Sequence, residues 1–269
     1  MLLSEILNGV CDLSAYPDQP IKHIQNDSRA VQPGDLFVCL KGAAADGHDY
    51  AQAALEKGAA AIVTERDLGL FRQIIVPDTH RAYAKMAANF YGNPSKKMKL
   101  IGVTGTNGKT TCTILIKSIL KRLGKQVGLI GTIHNEIGDR IVPTEKTTPD
   151  AMELEALYRE MADAGCEYCV MEVSSHALDQ QRIGDSHYEI GVFTNLTQDH
   201  LDYHETMEAY FAAKERLFHI CDAAVINLDD PYGRQLIERC SCPVTTFSAL
   251  DESADVYAFG IEYHPDSVD

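Results

Sequence analysis

The stretch Leu100-Ile-Gly-Val-Thr-Gly-Thr-Asn-Gly-Lys-Thr-Thr111, followed by Cys112-Thr-Ile-Leu-Ile-Lys-Ser-Ile-Leu-Lys-Arg-Leu-Gly124, decides the fold. Leu100–Val103 is a short apolar run without charge, the pattern of a buried strand. Ile114, Ile116, Ile119, Leu120 and Leu123 then give a helical apolar pattern, and Gly124 stands where a helix ends in a left-handed residue. Between the two lies Thr104–Thr111. Gly105 and Gly108 let the backbone turn its N–H groups inward around phosphate oxygens, with Thr106, Asn107 and Thr111 completing the cradle. Lys109 is placed to reach the β- and γ-phosphates of a nucleotide and the Thr110 hydroxyl to bind Mg²⁺. Strand, glycine loop, Lys-Thr and helix in this order imply a nucleoside triphosphate site. Val103 stands where the strict G-x-x-x-x-G-K-[ST] pattern has its first glycine, so the loop is a variant; the plainer alternative is a glycine-rich turn without a ligand.

Outward from this loop, apolar runs and helical stretches alternate. Strands are predicted at Val127–Ile133, Cys169–Val173, Ile190–Asn195, Ala223–Asn227 and Val244–Phe247, with helices near 149–164, 206–219 and 232–239. Thr148 at the N-cap and Pro149 at the first helical position are expected to open the first of these helices. Continuous apolar strands alternating with helices imply an α/β fold, a mostly parallel sheet with helices on both faces. Upstream, Leu36–Leu40, Ala60–Val63 and Ile74–Val76 alternate with helical stretches around Tyr50–Lys57 and His80–Phe90, a smaller α/β unit. Tyr91-Gly-Asn-Pro-Ser-Lys-Lys-Met-Lys99 breaks both helix and strand. The expected domains are therefore 1–92 and 98–269.

A chain of 269 residues with 45% hydrophobic content can furnish more than one core. Lys+Arg number 24 against 39 Asp+Glu, and the formal net charge of −15 disfavours nucleic acid and anionic membranes as partners. An anionic ligand requires a local pocket. Cysteines at 11, 39, 112, 166, 169, 221, 240 and 242 are scattered among apolar runs, as expected of reduced thiols in the cytoplasm. Cys166-x-x-Cys169 runs into a predicted strand and Cys240-x-Cys242 is too tight to supply a second pair, which speaks against redox or zinc roles. His204-Glu-Thr-Met-Glu208 has Glu where the second His of H-E-x-x-H belongs, which speaks against zinc there too. The start MLLSEILNGV has no basic leader, and no apolar run reaches the roughly 18 residues of a membrane span, so a soluble protein is expected.

The Thr104–Thr111 loop resembles the signature of the ATP-dependent Mur ligases of peptidoglycan synthesis, a family serving cell-wall biogenesis, cell shape and division. Asn26-Asp-Ser-Arg29, Pro33-Gly-Asp-Leu-Phe37, Thr147-Thr-Pro149, Met171-Glu-Val-Ser-Ser-His-Ala-Leu178 and Asn195-Leu-Thr-Gln-Asp-His-Leu-Asp202 are similar to the member that adds the third peptide residue. The resemblance implies that a diamino acid, meso-diaminopimelate or L-lysine, is joined to UDP-N-acetylmuramoyl-L-Ala-D-Glu by a monomeric enzyme through an acyl phosphate, with ATP and Mg²⁺. It also implies a further C-terminal domain for the incoming amino acid, so the sequence ending at Asp269 is expected to lack it and to leave the central domain incomplete.

Glu172 ends an apolar strand and so is expected at the carboxyl edge of the sheet, where open α/β folds bind ligands; His200 follows the next strand at that edge. Read alone, each is better explained as a solvated or hydrogen-bonded structural group; the resemblance reverses this and assigns both to metal ions bridging ATP and substrate. Lys214 reads as a surface lysine of an amphipathic helix. The resemblance makes it a lysine carbamylated by CO2 that positions a second Mg²⁺, which requires a neutral amine and hence a depressed pKa. For the nucleotide-sugar the resemblance nominates Ser28, Thr147, Thr148, Ser174, Gln180 and Arg182, polar types that suit sugar, peptide and carboxylate recognition. Asn227, beside Asp229 and Asp230, is a candidate for the adenosine end of ATP or a plain turn residue. Folylpoly-γ-glutamate synthetase or cyanophycin-type ligases share the loop and the acyl-phosphate chemistry, but Asp27-Ser-Arg29 and Thr147-Thr-Pro149 favour the nucleotide-sugar ligase. A non-catalytic nucleotide-binding fragment is the remaining alternative.

Overall fold

In the N-terminal stretch the apolar runs become β1 (Ile24–Gln25), β2 (Leu36–Val38), β3 (Ala61–Thr64) and β4 (Gln73–Ile75), a parallel sheet in the order β1-β2-β3-β4. The structure, a computed structural model, describes residues 1–12, 16–42 and 45–261. Residues 262–269, the end of the expected second domain, lie outside the described residues. Both faces of the small sheet are covered, which is why its strands read as unbroken apolar runs. Leu36, Val38, Val63 and Ile74 pack with α1 (Leu3–Ile6) and with Ala82, Tyr83, Met86 and Ala87 of α3 (Thr79–Tyr91). Phe37, Cys39 and Ile62 pack instead with Ala51 and Ala54 of α2 (Ala51–Glu56). Asp78 caps α3 by accepting from the Arg81 N–H, and Gly92 closes it in the left-handed region.

The chain forms two compact units, the first made of Met1–Pro94 together with Asp150–Arg159 and Gln180–Asp185, the second of the remainder from Ser95. The two inserted stretches lie far along the chain from the break at Pro94, so a linear reading for composition breaks passes over them.

Among the described residues the second unit is built on a nine-stranded sheet in the order β13-β12-β11-β10-β5-β9-β6-β7-β8. Its strands are β5 (Lys99–Thr104), β6 (Val127–Ile130), β7 (Asn135–Ile137), β8 (Arg140–Val142), β9 (Tyr168–Glu172), β10 (Tyr188–Phe193), β11 (Cys221–Asn227), β12 (Val244–Ser248) and β13 (Val256–Tyr257). From β13 to β6 all neighbours are parallel, whereas β6–β7 and β7–β8 are antiparallel. The helices are α4 (Lys109–Arg122), α5 (Ala151–Asp163), α6 (Ser175–Asp179), α7 (Leu201–His204), α8 (Met207–Glu215) and α9 (Pro231–Arg239), α5 supplying residues to both units. After β5 the chain goes on to β6, on one side of the sheet; after β9 it goes on to β10, on the other. The carboxyl ends of β5 and β9, paired through Val103 and Glu172, are thus the topological switch point, where open α/β sheets bind ligands.

Several expectations are corrected. β6 ends at Ile130 rather than 133, because the Gly131 N–H turns to the Asn135 Oδ1 (3.2 Å) and the chain enters a hairpin. The helix expected from Thr148-Pro149 begins at Ala151: Asp150 accepts from the Glu153 N–H, while the Thr148 hydroxyl donates to the Glu172 carbonyl (2.9 Å) and accepts from the Ser174 N–H (3.0 Å). The helix expected over 206–219 is α8, continued as a 3-10 turn at Arg216–His219. On α4, Ile114, Ile116 and Leu120 face the core with Cys112, whereas Ile119 and Leu123 are exposed together with Leu115. Among the described residues no helix is long and apolar enough to cross a membrane.

Glu155 of α5 is 4% exposed, its Oε2 has no hydrogen-bond partner among the described residues, and burial lifts its pKa from 4.5 to about 7, opposed by Lys85. The folded value lies above the unfolded one, so the fold favours the protonated acid. The contribution of Glu155 to stability is fully present below about pH 4 and is lost as pH rises through 7, on the order of 3 kcal/mol. Glu155→Gln, which mimics the neutral acid, is expected to raise Tm at pH 8 by about 5–10 °C and to leave it unchanged at pH 4, read by thermal unfolding.

Candidate active site

The loop after β5 is held against the end of β10. Gly105 has φ +148°, and a Cβ there would lie 1.9 Å from the Thr194 Oγ1. That approach lets the Thr194 hydroxyl donate to the Asn107 carbonyl (2.6 Å), while the Asn195 amide donates to the same carbonyl (3.2 Å) and accepts from the Asn107 N–H (2.9 Å). The Thr106 N–H donates to the Asn195 carbonyl (2.9 Å), and the Thr106 hydroxyl accepts from the Thr197 N–H (3.0 Å). Gly108, at φ +84°, is the N-cap of α4 and offers no side-chain acceptor to the first turn. The first N–H groups of that helix are therefore available, with its dipole, to an anion.

Two lysine side-chain nitrogens converge on the inner side of this loop. Lys109 Nζ donates to the carbonyls of Gly105 (2.9 Å) and Thr106 (2.8 Å); Lys214 Nζ donates to the same Gly105 carbonyl (2.8 Å) and lies 4.7 Å above the Tyr210 ring. Lys214 is 1% exposed. Burial first, and the neighbouring Lys109 charge second, push its pKa well below the ordinary lysine value, against the pull of Asp199. Burial also lowers Lys109, opposed by Glu172 and Asp199. The helix carrying Lys214 thus presents the lysine to the interior and not to the surface.

Glu172, also 1% exposed, lies across the switch point. Its Oε1 accepts from the Thr110 hydroxyl (2.9 Å) and the Thr132 N–H (2.9 Å), and its Oε2 from the Thr132 hydroxyl (3.1 Å). The Thr132 hydroxyl lies 3.0 Å from that of Thr147. A hydroxyl and a carboxylate side by side are hard oxygen donors of the kind Mg²⁺ takes beside nucleotide phosphates and water. His200 sits apart from this pair of oxygens in the bonding pattern. Its backbone is left-handed (φ +52°), its ring packs edge-on to His176 (4.9 Å) and Tyr210 (5.9 Å), and its Nε2 is 3.6 Å from the Asp199 carboxylate. Among the described residues no group of three or more His, Cys, Asp or Glu is disposed to hold a metal.

The remaining candidates divide between the units. Thr147, Thr148 and Ser174 belong to the second, and the Ser174 hydroxyl caps α6 by accepting from the Ala177 N–H (3.2 Å). Ser28, Gln180 and Arg182 belong to the first; Gln180 Oε1 accepts two N–H groups of Arg182 (3.0 and 2.7 Å), and the Ser28 carbonyl accepts from Lys57 (2.8 Å). Asn227 has both ends of its amide engaged, donating to the Thr194 carbonyl (2.8 Å) and accepting from the Asp229 N–H (3.0 Å). It braces the β10 end from β11. Thr132, Thr194 and Asn195 are not among the residues that the sequence marks. Asn195 opens the Asn195–Asp202 motif, while nothing in the local pattern points to Thr132 or Thr194.

Residues 103–269 match the model of the Mur ligase middle domain, and residues 20–91 that of the Mur ligase family catalytic domain. A UDP-N-acetylmuramoyl-L-alanyl-D-glutamate--2,6-diaminopimelate ligase of Clostridium perfringens is 43% identical over 98% of this chain and 56% of its own length. One from Geobacillus thermodenitrificans is 47% identical over 98% and 55%. A solved structure of a ligase of the same name superposes with TM-score 0.84 at 31% identity, covering 100% of this chain and 56% of the other. MurF ligase of Thermotoga maritima, in complex with ADP, superposes at TM-score 0.58 and 25% identity, covering 92% of this chain and 54% of the other. The chain spans about half the length of the curated relatives it matches.

Gly105→Ala is expected to separate the loop from Thr194, since the new methyl occupies the hydroxyl's place. Loss of this preorganisation should weaken ATP binding at least about tenfold, roughly 1.4 kcal/mol, by calorimetry. Unchanged affinity would show that the approach is dispensable.

Proposed function

The chain belongs to the Mur ligase family, and on that premise we propose that it serves the ATP-dependent joining of 2,6-diaminopimelate to UDP-N-acetylmuramoyl-L-Ala-D-Glu, in the cytoplasm and as a monomer. The observation that carries the reading is the hydrogen bond from Thr110 to Glu172, which closes the phosphate loop onto a buried carboxylate at the switch point. The choice of diaminopimelate over L-lysine is supported by the names of relatives at 43% and 47% identity.

In the first half-reaction a carboxylate oxygen of D-glutamate attacks the γ-phosphorus of ATP, forming an acyl phosphate as ADP leaves. An amine of the diamino acid then adds to the acyl carbon, and phosphate leaves the tetrahedral intermediate to give the amide. No protein nucleophile is required. The N–H groups at the start of α4 and Lys109, exchanging its loop carbonyls for phosphate oxygens, hold the β- and γ-phosphates and stabilise charge on the transferring group. Thr110 and Glu172 would hold Mg²⁺, with His200 and Lys214 as further ligands on the family pattern; when bound, the ion neutralises phosphate charge. Buried beside Lys109, Lys214 has the environment that favours a neutral amine, the form that takes up CO2 to become an anionic carbamate. Thr147, Thr148, Ser174, Gln180, Arg182 and Ser28 are assigned to the sugar and peptide.

Lys109→Ala is expected to slow acyl-phosphate formation by at least about a hundredfold, ~3 kcal/mol of transition-state stabilisation, measured by trapping the intermediate chemically. A loss below about tenfold would remove Lys109 from the phosphate clamp. Lys214→Ala is expected to impair that half-reaction more than ATP binding and to regain activity when a small carboxylate such as acetate is added. Full activity without the additive would refute the carbamate.

A further inference from the structure

The tertiary fold brings a third thiol to Cys240-Ser-Cys242. Cys221 is the first residue of β11, and its sulfur lies 3.8 Å from that of Cys242, which precedes β12 in the connection from α9. Cys221 is buried, while Cys240 and Cys242 are half-buried. Cys240, two residues before Cys242, is the third thiol of the group and an electrostatic neighbour of Cys242. The two parallel strands are locked in register only from Ala224 and Val244 onward. Cys242 thus sits in the turn ahead of the ladder, and a disulfide requires its sulfur and that of Cys221 to close from 3.8 Å to about 2.05 Å.

We propose that Cys221 and Cys242 are an oxidisable dithiol, a modification site at the start of β11 and β12 that a hydroperoxide converts to a disulfide and a small thiol restores. The sulfur of the more accessible Cys242 attacks the outer oxygen of the hydroperoxide, forming a sulfenic acid and releasing the alcohol, or water from hydrogen peroxide. The Cys221 sulfur then attacks the sulfenic sulfur and water leaves. In sum, two thiols and one hydroperoxide become one disulfide, one alcohol and one water. Cys240 is the poorer partner, since a link to Cys242 two residues away closes a cramped ring. Burial pushes the Cys221 and Cys240 thiols up to about 12, with the Cys242 neighbour adding to it, so closure is slow at neutral pH and quickens with alkalinity.

The test treats the intact chain with hydrogen peroxide at pH 7 and pH 9, blocks remaining thiols and maps tryptic peptides by mass spectrometry. Cleavage after Arg216, Arg234 and Arg239 separates Cys221 from the peptide that begins at Cys240. The expected product joins these two peptides within one molecule, forms faster at pH 9, disappears on reduction with dithiothreitol and persists in Cys240→Ser. It is lost in Cys221→Ser and in Cys242→Ser, the latter a half-buried position whose replacement spares the core. A link confined to Cys240 and Cys242, links only between molecules, overoxidation of Cys242 with Cys221 unchanged, or eight unmodified thiols would each overturn the proposal.

Discussion

The close approach of Gly105 to Thr194 is the constraint on which the candidate site depends. Because no Cβ intervenes, the loop after β5 lies on the end of β10, where Thr194 and Asn195 engage the backbone of Thr106 and Asn107. Asn227 of β11 braces the same Thr194 through its carbonyl. The loop is therefore shaped by the neighbouring strands before any ligand arrives, and the start of α4 is left with its N–H groups available. β5 supplies the second half of the arrangement. Lying between β9 and β10, it puts the loop beside Glu172 at the point where successive connections diverge.

The electrostatics of this site run against those of the whole chain. A net charge of −15 gives no general attraction for a nucleotide, yet Lys109 and Lys214 share one carbonyl under the loop. Two cations at one acceptor in a buried place cannot both be fully favoured, and the more buried one yields further: burial lowers both lysines, Lys214 well below the ordinary value and toward the neutral amine, Lys109 less, with Glu172 and Asp199 opposing. Glu155 in the first unit follows the same rule with opposite sign, a buried carboxylate driven toward its neutral acid.

By itself the sequence determined what depends on local pattern. The unbroken apolar run before Thr104 marks a strand buried on both faces, the loop glycines mark positive φ and close approach, and Lys109-Thr110 at the helix start marks an anion site. The alternation of runs marks a mostly parallel sheet, because only strands covered on both sides lose their polar face. Motif similarity extended this to the family. What only the tertiary structure decided are the relations between residues distant in the chain. The Thr110–Glu172 bond spans 62 positions and the Lys214–Gly105 bond 109. An amphipathic pattern cannot tell an interior lysine from a surface one when the helix packs on a polar loop, nor can the spacing of Cys240 and Cys242 reveal Cys221 beside them. Thr148 shows the limit most plainly: its sequence context is that of a helix cap, but the hydroxyl finds the Glu172 carbonyl and the Ser174 N–H, and Asp150 takes the cap. Side-chain partners across strands are chosen by sheet order and register, which no window of neighbouring residues encodes.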